Sequence, residues 1–178
     1  HSLLNSVAIA AVHLRVRRHI PSVLVVDLGA RPALGTPGLL AEMDGVRLVT
    51  VHGPAAPASG EPPSPHALPA NVYDCSLSAG ATGAEVEGSL REALGLATSG
   101  WRPDFVLVSM GFDVLATDPL GTLAVEVGEI HALTRALMEV AEHAGGRLVS
   151  LLEGGYDAPA AALGVVQHLR ALAGVAAG

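Results

Sequence analysis

Short apolar runs separated by helix-like stretches constrain this chain more than any other feature. The clearest is residues 22–27, Ser-Val-Leu-Val-Val-Asp, a continuous stretch of Val and Leu with no polar alternation. A strand of that kind is buried on both faces and needs a layer of other elements above and below it. Comparable runs recur at 46–52, 71–77, 104–110 and 147–153. Helices are predicted at about 7–15, 37–43, 84–98, 125–144 and 158–173. The first is Ala-rich with no internal Gly or Pro, and the fourth places Ala132, Leu133, Ala136, Leu137 and Val140 on one stripe. Strands alternating with helices imply an α/β fold of three layers, a mostly parallel sheet between helices with right-handed crossovers. Nothing divides the chain, so residues 1–178 read as a single domain.

In such sheets chemistry gathers in the loops at the C-terminal ends of the strands. Those ends are 27–35, the segment from His52 onward, Gly111-Phe112-Asp113 and Glu153-Gly154-Gly155-Tyr156. Residues 53–70, rich in Pro, Ala, Ser and Gly, read as a long irregular loop, a length that is usually functional or mobile.

Charge and composition exclude several classes of function. The net charge is −7, and all ten basic residues are Arg. Scattered Arg on an acidic chain does not make a nucleic-acid surface, and Arg15, Arg17 and Arg18 read as the solvated end of a helix. No apolar stretch is long enough to span a membrane, and no charged n-region with an apolar run opens the chain. A single cysteine, Cys75, rules out an internal disulfide and leads us to expect a reducing, cytoplasmic setting. Cys75 itself reads as a small packing residue. His13, His19, His52, His66, His131, His143 and His168 show no pair at a zinc-site spacing and read as surface or packing residues. Ser89, Ser99 and Ser109 lack the Gly-x-Ser-x-Gly context of a nucleophile, and Gly80 to Gly83 lacks the Gly-Lys-Ser/Thr of a phosphate loop.

Four ordered blocks carry a resemblance. Val108-Ser109-Met110-Gly111-Phe112-Asp113, with Asp118-Pro119-Leu120-Gly121 after it, resembles the "S-A-G-F-D … D-P-L-G" block of histone deacetylases and bacterial acetylpolyamine amidohydrolases. Leu152-Glu153-Gly154-Gly155-Tyr156 resembles their "L-E-G-G-Y" block, and Asn5 to Ala11 resembles "N-N-V-A-I-A-A". Val25-Val26-Asp27-Leu28, running on to Gly35-Thr36, sits where the family has "V-D-x-D-V-H-H-G-N-G-T". The resemblance implies an arginase/deacetylase-like sheet, of which this chain would be the C-terminal part. It also implies one catalytic zinc held by Asp, His and Asp, with an open position for water and the substrate carbonyl. By match of position, Asp113 falls at the second zinc aspartate and Tyr156 at the tyrosine that bonds the developing oxyanion. Asp27 falls at a residue that supports a catalytic histidine and a structural monovalent cation, with Thr50 near that cation.

The departures bear on mechanism. Gly29 stands at the first zinc aspartate and Arg31 at the zinc histidine, and neither side chain can ligate zinc. Pro32-Ala33-Leu34 replaces the polar residues that follow, and no Asp or His lies between Asp27 and Asp44 to take over. The family's histidine pair lies upstream of the Asn5 block, and His1 falls where the family has a Phe. We therefore expect a deacetylase-like domain that is catalytically inactive and holds no zinc, with Arg31 paired to Asp113 in place of the metal charge and a monovalent cation possible near Asp27. The alternative is a zinc amidohydrolase that removes acetyl groups from acetyl-lysine or acetylpolyamine substrates. An unrelated α/β binding domain is the third class, against which the four blocks speak. A sheet shortened relative to the family would expose an edge, so self-association or an unidentified protein partner is expected.

Overall fold

In the computed structural model of the chain, residues 4–33, 35–54 and 68–178 are described. Most of the long loop expected at 53–70 therefore lies outside the described residues. Helix α1 (Ser6–Arg17) comes first, followed by β1 (Val23–Gly29), α2 (Thr36–Leu40), β2 (Val46–His52) and β3 (Val72–Ser76). Then come α3 (Gly83–Thr98), β4 (Phe105–Gly111), a 3-10 turn (Phe112–Val114), α4 (Glu129–Glu142), β5 (Leu148–Glu153) and α5 (Ala158–Leu172).

All five strands are parallel, in the order β3-β2-β1-β4-β5. The chain builds outward from β1 through β2 to β3, then returns across β1 and builds the other way through β4 and β5. With right-handed crossovers, opposite directions of travel put the helices on opposite faces. One face of the sheet, carrying Leu24, Val26, Leu28, Val106 and Val108, packs against α3, α4 and the turn after β4. The other, carrying Val23, Val25, Leu48 and Leu107, packs against α1 and α2. Apolar side chains fully buried in this way stabilise a fold by roughly 1.5–3 kcal/mol each.

Local signals set the helix boundaries. The Asn5 side chain caps α1 by accepting from the Ala8 N–H at 2.8 Å. Thr82 and Glu85 form a reciprocal capping box at α3, and Asp157 caps α5, with Pro159 in the first turn. Two helices are shorter than their sequence suggests. Residues 125–128 do not join α4, because Val125 forms an isolated bridge with Leu115 and Gly128 precedes the first turn. Helix α2 ends at Leu40, and Glu42 then takes a positive φ of 55°. The fifth apolar run is a strand as expected, but its outer edge has no neighbour among the described residues and its side chains are largely half-buried or exposed.

Candidate functional site

The reversal of strand order between β1 and β4 leaves a crevice beyond their C-terminal ends, the position at which open α/β sheets hold ligands. A cleft of about 470 Å³ lies there. Asp27 and Gly29 of β1, Ser109 and Gly111 of β4, Asp113 of the following turn, Glu153 at the end of β5, and Gly154 and Tyr156 after it all line it. Asn5 and Thr36 close one side, and the Asn5 amide donates to the Thr36 hydroxyl at 2.8 Å. The four blocks picked out in the sequence thus converge on one cavity.

Asp113 sits among glycines. A Cβ on Gly111 would lie 2.6 Å from its Oδ1, and one on Gly154 would lie 3.0 Å from its Cγ. Gly154 also has a φ of +58°, a region that L side chains rarely adopt. Position 29 differs, since a Cβ there would meet Asp113 Oδ1 at 3.7 Å, ordinary van der Waals contact. The Ala30 N–H donates to Asp113 Oδ1 at 3.1 Å. Burial raises the Asp113 pKa above the usual carboxylate range, and the Ala30 hydrogen bond opposes that shift. Asp27 is pushed up to about 6, first by burial and next by the charge on Asp113, while a hydrogen bond to Ser109 pulls the other way.

The expected pairing of Arg31 with Asp113 is not formed. Arg31 is exposed, and its Nη2 donates to the Leu120 carbonyl at 3.2 Å, with no ion pair between the two side chains. Its long side chain reaches the loop after the turn, so its charge lowers the Asp113 pKa only as a minor influence. Tyr156 lines the cleft and is 55% exposed. Its backbone N–H donates to Asp118 Oδ2 at 2.6 Å. Asp118, buried, also accepts from the N–H groups of Leu120 and Asp157, so one carboxylate joins the loop after β4 to the turn that carries Tyr156. Sequence reasoning assigned Asp118 no role beyond its block, because hydrogen bonds across loops leave no periodic signal.

Thr50 is brought into register beside Asp27 but is not among the residues lining the cleft. Its hydroxyl donates to the Asp74 carboxylate on β3, where His52 also bonds through Nε2 at 3.1 Å. Among the described residues, no group of three or more His, Cys, Asp or Glu side chains is placed to hold a metal ion.

Fold and cleft define a parallel α/β domain whose site lies at the switch point and is walled by carboxylates, glycines and one tyrosine. The family model for the histone deacetylase domain matches residues 1–172. The chain belongs to that family. It is similar to a histone deacetylase-like amidohydrolase of Pseudomonas aeruginosa, 28% identical over 173 residues that cover 92% of this chain and 45% of that protein. It is also similar to human histone deacetylase 9, 32% identical over 167 residues, 86% of this chain and 16% of the other. Among solved structures, the HD domain of HDA15 superposes with a TM-score of 0.79 at 24% identity, over 99% of this chain and 51% of that one. The histone deacetylase Clr3 gives 0.78 at 24% identity, over 100% and 31%. Both confirm the arginase/deacetylase-like fold. The chain spans about half the length of the bacterial amidohydrolase and less of the longer deacetylases. No helix among the described residues is long and apolar enough to cross a membrane.

Proposed function

We propose that this chain is a deacetylase-like domain that does not hydrolyse amides by itself and acts by binding. The observation that carries the reading is the environment of Asp113. Position 29 directs a hydrogen at that carboxylate, at a distance where a side chain would fit, and the guanidinium of Arg31 is engaged with Leu120. A catalytic zinc takes three protein ligands and keeps one open position. Asp113 is the one such ligand retained by match of position, with Asp27 hydrogen-bonded to Ser109. These residues do not fit a zinc ion. A monovalent cation beside Asp27 stays in the reading on the resemblance and on the carboxylate of Asp27 in the cleft, without Thr50, whose hydroxyl donates to Asp74. Tyr156 also stays in the reading as a donor to a bound carbonyl, supported by its place in the lining of the same cleft. The single cysteine, half-buried and free, suits a reducing compartment, and we place the protein in the cytoplasm.

Restoring the ligands tests this reading. Gly29→Asp with Arg31→His is expected to bind zinc at least tenfold more tightly than the unaltered chain in titration calorimetry. Equal zinc affinity in the two proteins would overturn it. The competing reading, a zinc amidohydrolase, requires hydrolysis of an acetyl-lysine or acetylpolyamine substrate by the unaltered chain that a chelator abolishes.

A further inference from the structure

Strand order sets three loops side by side at the cleft. Strands β1, β4 and β5 are neighbours in the sheet, so the segments that follow them, carrying Arg31, Leu120 and Tyr156, lie in a row. The first two segments are joined by three hydrogen bonds. The Ala30 N–H donates to Asp113 Oδ1 at 3.1 Å, the Thr122 hydroxyl to the Ala30 carbonyl at 3.2 Å, and Arg31 Nη2 to the Leu120 carbonyl at 3.2 Å. The second and third are joined by Asp118. Its Oδ1 accepts from the Leu120 N–H at 2.9 Å, and its Oδ2 from the N–H groups of Tyr156 and Asp157 at 2.6 and 3.4 Å. Leu120 is thus held from both sides, its carbonyl by Arg31 and its N–H by Asp118.

Tyr156 has little else to fix it. Its side chain is half-exposed and makes no hydrogen bond among the described residues. Gly154 and Gly155, which precede it, have φ values of 58° and 91°, backbone that a glycine pair leaves free to reorient. The place of the ring in the cleft lining therefore depends on where the Tyr156 N–H is anchored. That anchor is a buried carboxylate, and a hydrogen bond to a charged acceptor shielded from water is stronger than one on the surface.

We propose that Arg31 is a positioning residue for Tyr156, acting through Leu120 and Asp118. Arg31 fixes the Leu120 carbonyl, Leu120 presents its N–H to one oxygen of Asp118, and the other oxygen is left aimed at the Tyr156 turn. The proposal rests on the reading above in taking position 31 as a lost ligand position and Tyr156 as a donor to a bound carbonyl. On that reading, the arginine links the loops after β1 and β4 by a hydrogen bond where a shared metal would link them by coordination. A guanidinium suits the task, since it is always charged and its planar fork sets direction as well as distance.

Amide hydrogen exchange, followed by NMR with a chelator present, reads the path residue by residue. Arg31→Met keeps an apolar stem and removes the donor. Exchange is expected to quicken about fivefold at Leu120, Tyr156 and Asp157, with no change at Val25 and Val26 of β1. Arg31→Lys returns a charged donor and is expected to recover at least half of the lost protection. Adding Arg31→Met to Asp118→Ala is expected to change Tyr156 no further than Asp118→Ala alone, because the path is already cut. The two Arg31 variants decide the matter if Asp118→Ala fails to fold. Unchanged exchange at Tyr156 in Arg31→Met overturns the proposal, whatever Leu120 does. A loss that Arg31→Lys does not recover overturns it too, by assigning the effect to the stem and not the donor. Faster exchange throughout the sheet also overturns it, making Arg31 a residue of general stability. Zinc bound by the unaltered chain in calorimetry would sink the reading of the site, whereas the exchange result, taken in chelator, stands or falls separately.

Discussion

At the scale of single residues, the glycines around Asp113 divide into those the fold requires and one it does not. Gly111→Ala drives a methyl against both Asp113 Oδ1 and the Leu28 carbonyl, at 2.6 and 2.8 Å. Crowding of that kind in a packed interior costs roughly 1–3 kcal/mol, and chemical denaturation is expected to read that loss. Gly29→Ala meets nothing closer than 3.7 Å and is expected to change stability by less than about 0.5 kcal/mol. An equal loss at both positions would show that position 29 is closed to side chains, and the ligand-restoring substitution would then lose its basis. Much at this scale was legible in the sequence. Gly29, Arg31, Asp113 and Tyr156 were singled out by the resemblance of the blocks in which they stand, and the structure gathers them around one cleft. What was not legible depends on where long or polar side chains end. Arg31 reaches Leu120, Thr50 turns to Asp74, and Asp118 ties two loops together, none of which a one-dimensional spacing records.

At the scale of elements, β5, α4 and α5 are joined by one buried histidine. His168 of α5 is 1% exposed. The Thr134 hydroxyl of α4 donates its proton to the Ile130 carbonyl, so it accepts from His168 Nδ1–H at 2.8 Å. His168 Nε2 is then left to accept from the Ser150 hydroxyl of β5 at 2.9 Å, which makes the ring a neutral connector. Burial lowers its pKa from 6.5 to about 4. Between those values the unfolded chain binds the proton and the folded chain does not. The stabilisation is therefore present above about pH 6.5 and is lost as pH falls towards 4. The full loss is about 3 kcal/mol at the exchange rate of 1.36 kcal/mol per pKa unit. Urea midpoints measured at pH 7.5 and pH 4.5 are expected to differ for the natural chain, with His168→Gln reducing the difference. An unchanged pH dependence in that variant would remove His168 from this role. The sequence marks His168 only as a packing residue. Its partners lie on other elements, 34 and 18 residues away, beyond the reach of helical or strand periodicity.

At the scale of the whole molecule, strand order determines where function can lie. Alternation of strands and helices foretold the parallel three-layer sheet. The reversal between β1 and β4 was not foretold, because apolar runs reveal burial and not neighbours. The same limit holds for β5: its Leu-rich run reads as a buried strand, and among the described residues only β4 pairs with it. The cleft that results is lined by the glycine-flanked Asp113, by Tyr156, by Gly29 and by Arg31, whose guanidinium donates to the Leu120 carbonyl; in the proposed reading Gly29 and Arg31 stand where the resemblance puts the other zinc ligands. The central claim is that this cleft does not hold zinc, and titration calorimetry of the purified chain with metal analysis tests it most directly. No stoichiometric zinc binding is expected in the micromolar range, and no effect of Asp113→Ala on that result. One zinc bound tightly per chain, and lost on Asp113→Ala, would contradict it and identify the domain as a metalloenzyme.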